Sequence, residues 1–171
     1  MAAEVPTELS SLGVSWEVRL RPFDPQHAPA DLLEALLPWY QDQETVRLID
    51  GPDAEIYDMA KIKAMYQYMS DHGELYLVER LSSERDWIPI GDAGLQRQAV
   101  PIVLAPDHRG QGIGSAVIKV LIIRARELGW QSLEVSDIYD YNVVSRRMYE
   151  SLGFVRVADT ELGHRYRLTL S

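Results

Sequence analysis

Residues 103–115 read Val-Leu-Ala-Pro-Asp-His-Arg-Gly-Gln-Gly-Ile-Gly-Ser. An apolar run passes through a turn rich in glycine (Gly110, Gly112, Gly114) into a stretch of helical periodicity. Glycine lets a backbone approach a ligand closely and take conformations closed to other residues. A helix start offers unpaired N–H groups and a partial positive charge, which attract anions. Arg109 adds a fixed charge beside them. The pattern predicts a site for a phosphate-bearing ligand, against the plainer alternative of a tight turn that binds nothing. A Walker loop is excluded because no Gly-Lys-Ser or Gly-Lys-Thr occurs. A dinucleotide fingerprint needs a third glycine or alanine where Ser115 or Val117 stands. Asp137 would supply its acidic residue, but too little chain follows Ile138 to complete a doubly wound sheet.

A second chemical oddity is Asp92, inside Ile90-Gly91-Asp92-Ala93-Gly94. Aspartate is depleted in strand interiors, and simple alternation sets it on the face of Ile88 and Ile90. A carboxylate there needs a partner or a function. His27, His72, His108 and His164 lack ligand spacing, and there is no cysteine, so no metal site, disulfide or thiol nucleophile is expected. No Gly-x-Ser-x-Gly elbow is present either.

The elements that must position these groups follow from periodicity. Residues 1–13 carry little pattern and read as a flexible arm, leaving one domain over 14–171. Val14 to Arg21 alternates as a half-buried strand. Asp24-Pro25 could open a helix, and Asp31 to Leu37 reads as a short one broken at Pro38. Ile56, Met59, Ile62, Met65 and Met69 mark an amphipathic helix stopped by Gly73. Glu74–Arg80 and Ile88–Leu95 are strands joined by a polar turn. Val100–Ala105 is apolar enough to be central. Residues 112–128 form a helix, 133–138 a strand, 143–152 a helix, and 154–157 with 165–170 a closing hairpin. Strand, helix and strand over 100–138 require a parallel, right-handed crossover. The expected fold is α/β, a mixed and mostly antiparallel central sheet with helices on both faces.

Here the loop resembles a known family. Arg109-Gly110-Gln111-Gly112-Ile113-Gly114 is similar to the Arg/Gln-x-x-Gly-x-Gly/Ala signature of the GNAT (GCN5-related N-acetyltransferase) superfamily. Downstream, Asn142, Ser145, Tyr149, Gly153 and Phe154 resemble that family's closing pattern. The resemblance implies a V-shaped split between the strands at 100–105 and 133–138. A coenzyme A thioester would lie in it, its pantetheine arm along Val103, Leu104 and Ala105. The backbone from Gln111 to Ser115, with Gly110 and Arg109 beside it, would hold the pyrophosphate. Asn142 would contact the pantetheine or cap and orient the following helix, with Ser145 beside it on the cofactor side. Acetyl-CoA is then a co-substrate, and its acetyl group passes directly to an amine. Tyr149 is the implied general acid toward the departing thiolate.

The sequence leaves the base open. A lysine-like amine is mostly protonated at neutral pH and must lose a proton before attack. Asp92 is the first candidate. Glu74, Asp137 and Asp140 are others, and ordered water is an equal rival. The segment from Val135 to Asn142 is longer than the family pattern by about three residues, and its extra Asp137 to Tyr141 should form a loop or bulge beside the acceptor. Trp39, Tyr40, Asp42 and Glu44 stand where this fold shapes the acceptor pocket, so Trp39, Tyr40, Glu74, Asp137 and Tyr139 are the candidate acceptor residues. Net charge is −9 and apolar residues make up 46%. That balance disfavours nucleic acid and favours a cationic acceptor. The main expectation is a small cationic amine. A protein amino group and a non-catalytic coenzyme A-binding module are the alternatives. No run approaches the roughly 20 apolar residues that span a bilayer, and the N-terminus lacks a basic region followed by an apolar one. A cytoplasmic protein is expected, with a homodimer left open.

Overall fold

Side chains that bond backbone N–H groups set where three helices begin. Asp42 accepts from Thr45 N at 3.0 Å, Asp58 from Lys61 N at 2.8 Å and Asn142 from Ser145 N at 3.2 Å. Each bond satisfies a donor that the helix itself cannot. The computed structural model describes residues 17–170. The predicted arm, and Val14 to Trp16 of the predicted first strand, lie outside the described residues.

The elements run β1 (Val18–Pro22), α1 (Ala30–Leu36), α2 (Gln43–Asp50), α3 (Met59–His72), β2 (Glu74–Leu81), β3 (Trp87–Leu95), β4 (Ile102–Leu104), α4 (Ile113–Glu127), β5 (Ser132–Tyr139), α5 (Val143–Ser151), β6 (Val155–Asp159) and β7 (Gly163–Thr169). A 3₁₀ turn, Leu37–Tyr40, joins α1 toward α2. Pro38 sits in its first turn, where a missing N–H costs nothing. Asp24 makes a local turn with Gln26 rather than opening a helix.

Two sheets form, ordered β1-β2-β3-β4 and β5-β7-β6, with antiparallel pairing in every ladder. The parallel crossover expected between β4 and β5 is replaced by a split, since these strands belong to different sheets. β4 is correspondingly an edge strand, not a central one. The sheets touch where Glu134 N–H donates to the Arg97 carbonyl at 3.1 Å. Beyond that bond they part, and a cavity opens between Ala99–Val103 and Val135–Ile138.

Alternation along β2 divides the core. Tyr76 and Val78 pack with α4, while Leu75 and Leu77 pack with α1, α2 and α3. Helices thus cover both faces of the first sheet. Within α3 the buried stripe is Ile62, Tyr66 and Met69, one face of a helix, and Ile56 lies outside it, exposed.

One irregularity decides the site. Gly91 pairs with Val78 and Pro89 with Glu79, so Ile90 is an extra residue in β3. Such a bulge reverses which face later side chains point to. Ile90 packs in the α4 cluster, while Asp92 points to the opposite face, toward α3. Simple alternation had put them together.

Candidate active site

Asp92 is 1% exposed and lies on the cavity wall. Its Oδ2 accepts from the Tyr40 hydroxyl at 2.6 Å and the Tyr66 hydroxyl at 2.7 Å. Burial raises its pKa to about 6, against the lowering effect of the two phenols. A carboxyl that ionises near neutrality suits a proton acceptor. The same burial, together with the Asp92 charge, pushes both phenols well above their ordinary range.

The cavity holds about 410 Å³. Asp50, Asp92 and Asp137 contribute to its lining, and no Lys, Arg or His does among the described residues. Asp50 Oδ2 accepts from the Tyr57 hydroxyl at 2.6 Å. Asp137 reaches the cavity through a second bulge, where Val135 pairs with Tyr166 but Ile138 with His164. The irregularity expected over Asp137 to Tyr141 thus falls earlier, at Ser136 and Asp137, while Ile138 and Tyr139 stay paired in β5. Tyr139 lines an adjoining depression of about 850 Å³, which also takes in Asp50, Tyr57 and Asp137.

Val103, Asn142, Ser145 and Tyr149 face the same cavity. Tyr149 is buried and donates to the Val100 carbonyl at 2.6 Å, with its ring edge-on to Phe154. Burial raises its pKa, so the phenol keeps its proton. Asn142 caps α5 with Oδ1, and its Nδ2 reaches the Leu48 carbonyl of α2 at 3.4 Å. Beside it, Tyr141 donates to the Arg47 carbonyl at 2.5 Å, and the Arg47 guanidinium lies 4.2 Å from the Tyr141 ring centre. These contacts tie the C-terminal end of α2 to the loop after β5.

α4 starts differently from α2, α3 and α5. Gly112 precedes it at φ 81°, and no side chain caps it. The first helical bond runs from Ala116 to Gly112 at 3.1 Å, leaving the N–H groups before it without a helical acceptor. A Cβ on Gly110 or Gly112 would meet nothing within 4 Å. Positive φ, not crowding by the protein, therefore selects glycine at both positions. Ile113 is buried beneath this turn, and Gly114 lies close to Met148 of α5. Arg109 is braced: its Nε donates to the Leu104 carbonyl at 3.0 Å and Nη2 to Thr45 Oγ1 at 2.8 Å.

Residues 33–154 match the acetyltransferase (GNAT) family. The chain belongs to this family. Its reaction class, acyl transfer, comes with the membership, as its sequence led us to expect. No curated relative matches the chain in sequence, while many solved structures share its fold. A domain from Methanocaldococcus jannaschii superposes with TM-score 0.76 at 14% identity, over 91% of this acetyltransferase and 100% of that chain. The putative acetyltransferase yncA from Salmonella typhimurium, solved with its cofactor acetyl-CoA, gives 0.63 at 18% identity over 90% and 94%. The Vibrio cholerae spermidine N-acetyltransferase, in complex with CoA and spermine, gives 0.66 at 15% over 90% and 95%. At such identities these neighbours speak to the fold.

Two expected acceptor residues of this acetyltransferase stand elsewhere. Trp39 packs in the helical core with Leu36 and does not line the cavity. Glu74 accepts from Arg124 at 2.8 Å and from Tyr76, and it too lies off the cavity. Asp140, another base candidate, pairs with His164 Nε2 at 2.9 Å. The structure adds Tyr66, Asp50 and Tyr57, none of them singled out from sequence. Tyr66 had a readable signal: it follows Ile62 by four residues, so a strand aspartate needing a donor had one in the buried stripe. Among the described residues no group of three or more His, Cys, Asp or Glu could hold a metal, and no helix is long and apolar enough to cross a membrane.

Proposed function

We propose that this acetyltransferase moves the acetyl group of acetyl-coenzyme A directly onto a primary amine of a small cationic molecule. The observation that carries the reading is the cavity, with three aspartates and, among the described residues, no basic residue on its wall. Such a lining lowers the energy of an ammonium ion there and disfavours anionic or neutral acceptors.

The residues at the α4 start suit a pyrophosphate: uncapped N–H groups, open space over Gly110 and Gly112, and no competing carboxylate cap. Backbone from Gly110 to Ser115 would hold it, and Arg109, fixed to Leu104 and Thr45, stiffens the turn. The free edge of β4 at Val103 and Leu104, running on to Ala105, would take the pantetheine amides, with Asn142 and Ser145 opposite. The thioester supplies an acetyl group activated by a good leaving group. Asp92 takes a proton from the acceptor's ammonium, giving a neutral amine that can attack. Tyr149 turns its hydroxyl from Val100 toward the leaving sulfur. Asp50 and Asp137 hold the acceptor's remaining positive charge, with Tyr40 and Tyr139 shaping the walls.

Thiol release from acetyl-CoA, measured against an amine panel, tests this. Diamines, polyamines and aminoglycosides should be turned over, with KM rising as salt screens the aspartates. Turnover confined to lysine-bearing peptides, or equal turnover of neutral monoamines, would overturn the small-cation reading.

A further inference from the structure

Two phenols converge on one oxygen of Asp92, and they come from separate elements. Tyr40 ends the 3₁₀ turn after α1, and Tyr66 lies in the middle of α3. Their rings are held by aromatic neighbours. Tyr40 stacks on Tyr57 with centroids 5.0 Å apart, Phe23 meets Tyr66 edge-on at 5.1 Å, and the two tyrosines meet edge-on at 6.3 Å. Neither hydroxyl can leave without moving a packed ring. A carboxylate oxygen offers about two lone-pair directions, so the two bonds fill Oδ2 and leave Oδ1 as the free acceptor.

We propose that Tyr40 and Tyr66 are positioning residues for acyl transfer: they clamp Oδ2 of Asp92 so that Oδ1 receives the acceptor's proton. The inference rests on the acyl-transfer reading and on Asp92 as its base. In the step, an N–H bond of the ammonium breaks and an O–H bond to Oδ1 forms. The nitrogen lone pair becomes the nucleophile, and the proton later leaves Asp92 for solvent.

The surroundings leave little else to do this work. From β2 and β4 the residues opposite Asp92 are Leu77 and Val103, both apolar. Tyr57 stands behind Tyr40 with its hydroxyl given to Asp50. Elsewhere on the cavity wall are Asp50, Asp137, Tyr68 and Tyr149. Burial disfavours the charged form, and the two phenolic bonds are the favourable interactions that keep Asp92 near a pKa of about 6.

Each phenolic bond favours the charged form, so removing one raises the Asp92 pKa. The base works deprotonated, so the acid limb of the kcat/KM profile must move to higher pH. Activity on that limb falls about tenfold for each pH unit by which the midpoint rises, while the high-pH plateau holds. The test is carboxyl ¹³C NMR titration of aspartate-labelled protein without cofactor, with Asp92→Asn assigning the signal. Tyr40→Phe and Tyr66→Phe should each raise the midpoint by about 1 pH unit, and the double variant by more. Profiles with acetyl-CoA and spermidine should move alongside. A midpoint unmoved in both single variants, or a rate loss equal at all pH, overturns the inference. An acid limb that survives in Asp92→Asn overturns the base reading itself, a distinct result.

Discussion

Tyr149 shows how one hydroxyl can carry two readings. It donates to the Val100 carbonyl at 2.6 Å, a bond that serves packing, yet it lies on the cavity wall with its proton secured by burial. Tyr149→Phe separates them. Losing the buried bond should cost about 1 kcal/mol in either case. A general acid contributes about 10²–10⁴-fold, and it acts in the transition state, so kcat and kcat/KM should fall together with acetyl-CoA affinity unchanged. Turnover within about threefold of the parent, beside the small loss of stability, would leave only the packing role. The tyrosine and its motif partners were legible in the sequence through their resemblance to the family's closing pattern, not through residue type alone. The carbonyl it meets, 49 residues earlier, was not.

At the scale of elements, the start of α4 differs from its counterparts in what it withholds. α2, α3 and α5 use Asp42, Asp58 and Asn142 as caps; α4 uses glycine and leaves its N–H groups open. Gly112→Asp supplies both a cap and a negative charge. Asp tolerates positive φ better than most residues, so the variant should fold with a melting point close to the parent's. Calorimetry should show coenzyme A binding weakened by about 30-fold or more, the equivalent of about 2 kcal/mol at a helix end. Gly112→Ala, which adds strain but no charge, should lose much less. Unchanged affinity in a folded Gly112→Asp protein would remove the phosphate site from this loop. The loop was readable because glycine types and helix periodicity are local. α2 was not: its buried residues, Thr45 and Val46, are too few to show a period, and its place comes from contacts to Arg109 and Tyr141.

Across the whole molecule, Glu74 and Arg124 join β2 to α4. Arg124 is almost fully buried, and it meets Glu74 through Nε and Nη2. Removing Glu74 takes away the nearer carboxylate of a buried guanidinium, whose pair to Glu127 is longer at 3.7 Å. Glu74→Ala should therefore cost about 2 kcal/mol, a melting point lower by roughly 4–8 °C. The acceptor's KM should not move, because Glu74 lies off the cavity. A changed KM with an unchanged melting point would restore Glu74 to the acceptor site. The sequence by itself determined the family, the order of elements apart from α2, the glycine-rich turn into a helix and the oddity of a strand aspartate, since these rest on residue types at short, regular spacing. Only the tertiary structure decided what that aspartate meets. An extra residue at Ile90 turns Asp92 toward α3, and the split between β4 and β5 gathers Asp50, Asp92 and Asp137 around one cavity. Strand register and sheet separation depend on pairing between distant segments, and a period-two pattern reads the same on either face until its partner fixes which face is buried.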